Sequence, residues 1–372
     1  MIPFNKPHLT GNELKHISKA AELGQLAGDG YFTQLCSSWL EENTGCIKSL
    51  LTPSCTAALE MAAILINIQP GDEVIMPSYT FVSSANAFVL RGGVPVFVDI
   101  REDSLNIDEN LIEQAITKKT KAIVAVHYAG FGCEMNEIMR IAKKHNLYVI
   151  EDAAQGIKAD YEGYPLGSIG DIGCLSFHET KNIISGEGGA LLINNRDLID
   201  RAEIIRDKGT DRSKFFRDQV DKYSWKDIGS SFLLGELIAA FLWAQLNNAD
   251  IITKQRLDIW NSYHNKFSEL LDLTLVKIPS IPYGTNPNGH LFYLILKDAK
   301  ERNNFITSMK KEGVHCVFHY IPLHSSDGGK KYGKVASSMK VTESISERIV
   351  RLPIWIGLNN SKVIEAVLSS LR

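Results

Sequence analysis

Apolar and polar positions follow two alternating patterns from about residue 50 onward. Short apolar runs bounded by Gly, Pro or Asp are typical of buried strands. These runs occupy residues 74–76, 94–98, 122–126, 147–150, 175–177 and 189–193. Between some of them, residues 54–68 and 134–145 carry apolar side chains at helical spacing. Strands and helices in alternation predict a mostly parallel sheet with helices on both faces.

The last third of the chain has a different pattern. Residues 235–249 predict one long helix, followed by a polar helical stretch. Shorter elements come next, a strand, a helix and a strand, at residues 290–296, 303–311 and 316–318. A chain of 372 residues exceeds what one hydrophobic core usually serves. We therefore expect a large α/β domain over residues 1–250 and a smaller C-terminal α+β domain over residues 251–372.

Composition and charge exclude several classes of protein. The net charge of -3 argues against a broad nucleic-acid surface, which needs a basic excess. No apolar run is long enough for a membrane-spanning helix, and the first residues lack the apolar core of a signal peptide. The six cysteines form no CxxC pair, which argues against a disulfide framework and a zinc site. We expect a cytoplasmic protein without a metal or membrane insertion.

Polar residues that are candidates for catalysis and ligand binding follow several of the predicted strands directly. Residues 151–155 read Glu-Asp-Ala-Ala-Gln after one strand, and residues 176–181 read Ser-Phe-His-Glu-Thr-Lys at the end of another. Gly-Glu-Gly-Gly follows at 186–189, and Ser-Cys-Thr-Ala-Ala-Leu at 54–59 begins a helix rich in small residues. Open α/β sheets bind their ligands outside the carboxyl ends of the strands. These segments therefore mark a candidate active site.

Each segment suits one part of a pyridoxal phosphate molecule. A phosphate is bound by backbone N–H groups and hydroxyls at a helix N-terminus, here at Thr56. The pyridine nitrogen needs an anion, and Asp152 supplies one. The aldehyde needs a lysine amine, here that of Lys181. Taken alone, each residue is more often a helix cap, a turn residue or a surface charge. Their order along the chain favours the shared role.

The sequence resembles the DegT/DnrJ/EryC1/StrS family of sugar aminotransferases, which have the fold-type I architecture of pyridoxal-phosphate enzymes. The resemblance runs from Pro3 to about Leu371. Besides the four segments above, it includes Pro-Ser-Tyr-Thr-Phe at residues 77–81. It implies a large domain with a mostly parallel mixed sheet, a small C-terminal α+β domain and pyridoxal 5′-phosphate as cofactor.

The resemblance also implies a role for each site residue. Lys181 is the catalytic residue and holds the cofactor covalently as a Schiff base. Asp152 pairs with the pyridine nitrogen, and Gln155 lies near the ring hydroxyl. The ring of Phe81 stacks on the cofactor. The phosphate is bound by Cys55, Thr56 and Ser176.

Two positions depart from the usual family pattern. Cys55 stands where the family commonly has Gly or Ala, and a backbone N–H contact would survive that change. Gly229-Ser230-Ser231 stands where many members have Gly-Tyr-Asn, whose Asn reaches the phosphate of the partner subunit. The resemblance implies a homodimer, in which Ser231 is the shorter substitute for that Asn and a cofactor-binding residue.

Three stretches narrow the resemblance to members that aminate dTDP-4-keto-6-deoxyglucose at C4. They are the opening at residues 2–7, the Gly-Ser-Ser stretch and residues 319–324, which read His-Tyr-Ile-Pro-Leu-His. This narrower match implies L-glutamate as amino donor and dTDP-4-amino-4,6-dideoxygalactose as product. The product would serve enterobacterial common antigen or lipopolysaccharide O-antigen synthesis.

Four alternatives differ in how well the sequence supports them. One alternative is amination at C4 that gives the gluco product, or amination at C3 of a related keto sugar. The sequence distinguishes these reactions poorly from amination at C4 that gives the galacto product. A dehydratase of the same fold would carry His in place of Lys181. A non-catalytic sugar-nucleotide-binding protein would have little use for Lys181, Asp152 and Ser176 together. A Rossmann oxidoreductase lacks support, because no GxGxxG follows the first strand.

Overall fold

The structure, a computed structural model, describes residues 1–371. The strands in that range are β1 Lys48–Thr52, β2 Glu73–Pro77, β3 Val94–Val98, β4 Thr120–Val126, β5 Tyr148–Asp152, β6 Asp160–Tyr161, β7 Tyr164–Pro165, β8 Ile172–Ser176, β9 Gly189–Ile193, β10 Thr285–Asn286, β11 Phe292–Ile295, β12 Lys334–Val335 and β13 Ile349–Leu352. The α-helices are α1 Glu13–Leu23, α2 Tyr31–Thr44, α3 Cys55–Leu65, α4 Ser83–Val89, α5 Ile112–Ala115, α6 Met135–His145, α7 Ile199–Arg206, α8 Arg212–Phe216, α9 Glu236–Leu246, α10 Ala249–Leu270, α11 Ala299–Lys311, α12 Asp327–Tyr332, α13 Lys340–Arg348 and α14 Asn360–Ser370. None of these helices is both long and apolar enough to cross a membrane.

An eight-stranded sheet forms the centre of the molecule, in the order β1-β9-β8-β5-β4-β2-β3-β12. Every neighbouring pair is parallel except the two that involve β9. Strands β2, β8 and β9 are buried along their whole length, because helices cover both faces of the sheet. The predicted α/β architecture with a mostly parallel mixed sheet is confirmed.

The helix predicted over residues 235–249 is present, but it ends earlier than predicted. Helix α9 ends at Leu246 and α10 begins at Ala249, with a turn at Asn247 and Asn248 between them. The Asn248 side chain donates to the carbonyl of Ala244 at 2.9 Å and so ends the first helix. The asparagine side chain competes with the helical backbone for hydrogen bonds, and the pattern of apolar residues gives no information about that competition.

A second core joins the C-terminal part to buried residues of the large domain such as Tyr128 and Phe131. Strands β11 and β13 pair antiparallel, and Trp260, Tyr263 and Phe267 of α10 pack against Phe292. The strand predicted at residues 316–318 is wrong, because only Val317 forms a bridge, to Arg351. Strand β12 joins the edge of the large sheet beside β3. The domain division after residue 250 stays a prediction.

The strand register gathers the polar segments at one edge of the sheet. Thr52 at the end of β1 and Ser176 at the end of β8 both stand opposite Gly189. Strand β5 runs parallel to β8, with Asp152 opposite Cys174. The carboxyl ends of β1, β8 and β5 therefore open on the same side, where the segments at residues 54–59, 151–155 and 176–181 begin.

Candidate active site

Lys181 lies in the turn between β8 and β9, which several contacts hold in place. Its N–H donates to the carbonyl of His178 at 2.8 Å. The next side chain, Asn182, is buried and donates to the carbonyl of Asn288 at 3.0 Å. The same amide meets Nδ1 of His290 at 2.9 Å. The lysine backbone is thus fixed between the sheet edge and the C-terminal part.

The Lys181 amine has the electrostatics of a nucleophile. Burial lowers the pKa of Lys181, and the charge of Arg351 lowers it further. The neighbouring Cys55 and Asp152 act in the opposite direction. Within residues 1–371, Nζ of Lys181 forms no ion pair. A lowered pKa increases the neutral fraction of the amine, which is the form that attacks a carbonyl carbon.

Asp152, the last residue of β5, is oriented by a pair of hydroxyl groups. Its Oδ2 accepts a hydrogen bond of 2.6 Å from Oγ of Ser84, at the start of α4. The Ser84 hydroxyl is itself 2.8 Å from Oγ1 of Thr80. Oδ1 accepts from the N–H of Ala154 at 3.2 Å. Ser84 was not among the predicted site residues, because a serine at the start of a helix gives no sign of what it binds.

Glu151, the residue before Asp152, holds the end of β5 in place through its buried carboxylate. Its carboxylate is fully buried and accepts hydrogen bonds from three backbone N–H groups, those of Gly167, Ile169 and Gly170, at 2.8, 2.7 and 2.6 Å. Nε2 of His127 lies 2.9 Å away and is the fourth donor. The carboxylate therefore fixes the loop after β7 against the strand that carries Asp152.

The N-terminus of α3 is the candidate phosphate site. Ser54 caps the helix by accepting from the N–H of Ala57 at 3.0 Å. The N–H groups of Cys55 and Thr56 lie in the first turn, where a helix has no internal acceptors for them. The Thr56 hydroxyl is 2.7 Å from Oγ of Ser83.

Gly189 allows β9 to approach this helix start closely. A Cβ at this position would lie 2.4 Å from the backbone N of Cys55. Ser176, directly opposite in the register, is buried, and its Oγ accepts from the N–H of His178 at 3.4 Å. The close approach places the Ser176 hydroxyl beside the start of α3.

Gln155 and Phe81 line the other side of the site together with Tyr320. Oε1 of Gln155 accepts from the N–H of Ala129 at 2.7 Å, and its amide lies 3.3 Å from the hydroxyl of Tyr320. The ring of Phe81 is 57% exposed, and its centroid is 6.4 Å from that of Tyr320. The exposed ring leaves a face free for a planar ligand, although its stacking role stays a prediction.

Ser231 is the one candidate that lies apart from the others. It forms an isolated antiparallel bridge with Asp207, and its side chain is exposed. Among the described residues, no hydrogen bond connects it to the other candidate positions. Its contact with a partner subunit stays a prediction.

Comparisons with known proteins match most or all of the chain. The model of the DegT/DnrJ/EryC1/StrS aminotransferase family matches residues 7–372. The uncharacterized protein MJ1066 of Methanocaldococcus jannaschii is 36% identical, covering 84% of this chain and 82% of its own length. The GDP-perosamine synthase of Vibrio cholerae is 30% identical, covering 98% of this chain and 97% of its own length.

Solved structures show the same fold over the whole chain. The sugar aminotransferase Spr1654 of Streptococcus pneumoniae in its PMP form is 26% identical, with a TM-score of 0.91, and the match covers 100% of this chain and 99% of that one. Its PLP form has a TM-score of 0.90, also at 26% identity, and covers 99% and 98% of the two chains.

The residues present fit pyridoxal 5′-phosphate. The site has a lysine amine without an ion-pair partner within residues 1–371, a buried carboxylate held by Ser84, and a helix N-terminus with hydroxyl groups. These are the three kinds of group that the aldehyde, the ring nitrogen and the phosphate require.

Proposed function

Because the chain belongs to the DegT/DnrJ/EryC1/StrS aminotransferase family and uses pyridoxal 5′-phosphate, we propose the following reaction for it. The enzyme transfers the amino group of L-glutamate to C4 of dTDP-4-keto-6-deoxy-D-glucose. The product is dTDP-4-amino-4,6-dideoxy-D-galactose, a precursor for surface-glycan synthesis. The observation that carries the proposal is the convergence of Lys181, Asp152 and the N-terminus of α3 at one edge of the sheet.

In this reaction the residues have separate tasks. When bound, pyridoxal phosphate supplies an electron-withdrawing ring that stabilises negative charge on the carbon losing its proton. Nζ of Lys181 removes the proton from the α-carbon of glutamate and, in the second half-reaction, delivers a proton to C4 of the sugar. Asp152 keeps a positive charge on the ring nitrogen. Cys55, Thr56 and Ser176 bind the phosphate, and Gln155 and Phe81 orient the ring.

Three stretches of sequence support the dTDP-linked acceptor: residues 2–7, the Gly-Ser-Ser stretch before α9 and residues 319–324. In the structure, the last of these stretches contributes His319 and Tyr320 to an aromatic wall that faces Gln155. The other rings of the aromatic wall are those of Tyr79 and Tyr128. A second candidate acceptor is the corresponding GDP-linked 4-keto-6-deoxy sugar. The specific support for it is the similarity to GDP-perosamine synthases of Vibrio cholerae and Escherichia coli O157:H7.

The proposal includes a homodimer in the cytoplasm, in which each subunit completes the other's site through Ser231. The exposed position of Ser231 is compatible with a contact of this kind. Sedimentation equilibrium would measure the oligomeric state. A Ser231→Ala variant that binds the cofactor as tightly as wild type would contradict the role of this residue.

The deciding experiment supplies the purified enzyme with L-glutamate and, in parallel, each of the two keto sugars. NMR of the product then gives the position and configuration of the new amine. An axial amine at C4 of the dTDP sugar is the expected result. An equatorial amine, a C3 amine or preference for the GDP sugar would refute the proposed acceptor or product. No turnover with any sugar would favour a sugar-nucleotide-binding protein without catalysis.

A matched variant tests the role of Lys181. Lys181→Ala should abolish turnover and leave the cofactor bound without a covalent link, because no other described residue offers an amine at this place. Lys208→Ala is the control, since Lys208 is an exposed lysine paired with Asp207. Near-normal turnover in Lys181→Ala would refute the assignment of the catalytic residue.

A further inference from the structure

Asn182, the residue after Lys181, supports the second half of the lysine turn. In the first half, the N–H of Glu179 donates to the carbonyl of Gly186 at 2.9 Å. After Lys181, the N–H groups of residues 182–184 form no backbone hydrogen bond within residues 1–371. Asn182 is the one polar side chain among these three residues, and it is buried. Its side-chain contacts therefore determine how this half of the turn is held.

Both contacts of Asn182 go to residues 288–290, a segment just before β11 that we call the strap. The strap is itself held by two other parts of the chain. The side-chain amide of Asn288 donates to the carbonyls of Gln155 and Ile157, both at 2.8 Å. Arg256 of α10 donates to the last two carbonyls of the strap at 3.1 and 2.7 Å. The strap is therefore a fixed support for the lysine turn.

The two hydrogen bonds of Asn182 allow only one orientation of its amide. Nδ2 donates to the backbone carbonyl of Asn288 at 3.0 Å, because a carbonyl can only accept. Oδ1 therefore lies 2.9 Å from Nδ1 of His290, and this amide oxygen can only accept as well. The ring proton of His290 must then be on Nδ1. Rotating the amide would set Oδ1 against the carbonyl oxygen of Asn288.

The surroundings of His290 keep its ring neutral. Burial lowers the pKa of His290 well below its ordinary value, and the charges of Lys181, Arg256 and Arg351 lower it further. A neutral imidazole has a single proton. Because that proton is on Nδ1, Asn182 receives the only hydrogen bond that the ring can donate at neutral pH.

We propose that His290 is a positioning residue for Lys181, because its hydrogen bond to Asn182 fixes the backbone from which the lysine amine extends. The inference rests on the proposed function, in which Lys181 forms the covalent link to the cofactor. In that step the amine attacks the aldehyde carbon, and a C=N bond forms with release of one water. Misplacing a reacting group by about 1 Å can slow a reaction on the order of 100-fold. A turn without its support should therefore react slowly, although every group of the cofactor site is still present.

The rate at which added cofactor attaches covalently to the full-length apoenzyme, followed by absorbance, measures the position of the amine. His290→Leu removes the donor and should slow attachment about 10- to 100-fold. His290→Asn places an amide nitrogen where Nδ1 stands and should restore the rate to within about 3-fold of wild type. His290→Gln places its amide nitrogen at the position of Nε2 and should be as slow as His290→Leu. Equal rates in wild type and His290→Leu, or no rescue by His290→Asn, would refute the inference.

A second measurement separates positioning of the lysine from general damage to the site. In Lys181→Ala the cofactor binds without a covalent link, so its affinity depends on the phosphate and ring contacts alone. Adding His290→Leu to Lys181→Ala should change this affinity by less than about 2-fold, as expected for independent sites. A larger loss would mean that His290 supports the cofactor pocket rather than the lysine, and it would overturn the inference.

Asn182→Ala tests the same contact from the other side and decides the matter if His290→Leu does not fold. It should slow attachment at least as much as His290→Leu. The double variant should be no slower than Asn182→Ala, because both substitutions act through one hydrogen bond. Effects that add in full, or a wild-type rate in Asn182→Ala, would contradict the inference. The control is His315→Leu, which should keep the wild-type rate, because His315 is exposed.

Borohydride reduction of the wild-type holoenzyme, followed by peptide mapping, distinguishes failure of the inference from failure of the proposed function. Reduced cofactor on Lys181 is the expected result. Cofactor on another residue, or on none, would refute the role of Lys181 and with it the role of His290. Cofactor on Lys181 together with an unchanged attachment rate in His290→Leu would refute the inference alone.

Discussion

Glu151→Gln tests how strongly the buried carboxylate beneath the active site stabilises the fold. In the structure, Oε1 accepts from the N–H groups of Ile169 and Gly170, and Oε2 accepts from Gly167 and His127. Glutamine has almost the same shape, but one of its two terminal groups is an NH₂ donor. Whichever way the amide is turned, two of the four donors lose their acceptor.

His127 cannot adapt to the change by moving its proton. Its Nδ1 accepts a hydrogen bond of 3.2 Å from the N–H of Cys133, so the ring proton is on Nε2, facing Glu151. An amide NH₂ placed against Nε2 would therefore meet another donor. The alternative orientation places the NH₂ against two backbone N–H groups, which have no second form at all.

The magnitude follows from this count. A hydrogen bond to a charged group contributes about 1.5–3 kcal/mol, so two lost bonds cost roughly 3–6 kcal/mol. That loss is a large part of the ~5–15 kcal/mol by which a folded protein is usually stable. The variant should thus unfold at clearly lower urea concentration than wild type.

Urea unfolding of the cofactor-free protein, followed by circular dichroism, measures this difference. Glu22→Gln is the control, because Glu22 is an exposed residue paired with Lys19 at 3.3 Å, and such surface pairs contribute little. A shift below about 1 kcal/mol for Glu151→Gln would refute the reasoning. It would mean that the backbone donors find water or other acceptors when the carboxylate is lost.

Three further predictions concern the cofactor site. Ser84→Ala removes the 2.6 Å hydrogen bond to the carboxylate at the end of β5 and should weaken cofactor binding about 10- to 100-fold in an absorbance titration. The control is Ser49→Ala, which should change nothing, because the Ser49 hydroxyl is buried and has no hydrogen-bond partner among residues 1–371. Gly189→Ala places a Cβ 2.4 Å from backbone atoms at the start of α3, so the cofactor affinity should fall sharply. Gly235→Ala is the control and should keep the affinity, because the nearest atom to a Cβ at that position is 3.8 Å away. Burial lowers the pKa of Lys181 below 10.5, the ordinary lysine value. The rate of covalent cofactor attachment to the apoenzyme should therefore rise with pH and reach a plateau below pH 10.5. A rate that still rises at that pH would contradict the lowered pKa.

The sequence was sufficient to predict those parts of the site that follow directly from strand ends. Lys181 and Asp152 lie within a few residues of predicted apolar runs, and parallel strands bring their carboxyl ends to one edge. Thr56 was predicted from the start of a helix instead, because the strand before it, β1, was not among the predicted runs. The alternation of patterns likewise predicted the central sheet. Both predictions depend on local sequence and on one general rule of topology.

The rest depends on contacts between distant parts of the chain. Ser84 binds a carboxylate 68 positions away, and Asn182 binds a carbonyl 106 positions away. Arg351 is one arginine among many in the sequence, and its contact with the ring of Phe4 follows only when β13 and the N-terminal segment are placed. The error at residues 235–249 has a local cause instead, since two asparagines were counted as helical without regard to their own hydrogen bonds.

The two sides of the site are built differently, and this difference separates their functions. The cofactor side rests on the carboxyl ends of β1, β8 and β5 and on carboxylates with several donors, so its geometry is tied to the stability of the sheet. The opposite side is formed by the aromatic wall, Arg351 and the N-terminal segment, which meet through single hydrogen bonds and ring contacts. Substitutions there can change what the enzyme binds at little cost to the sheet. Divergence of substrate preference among relatives with a common cofactor site is the expected consequence of this arrangement.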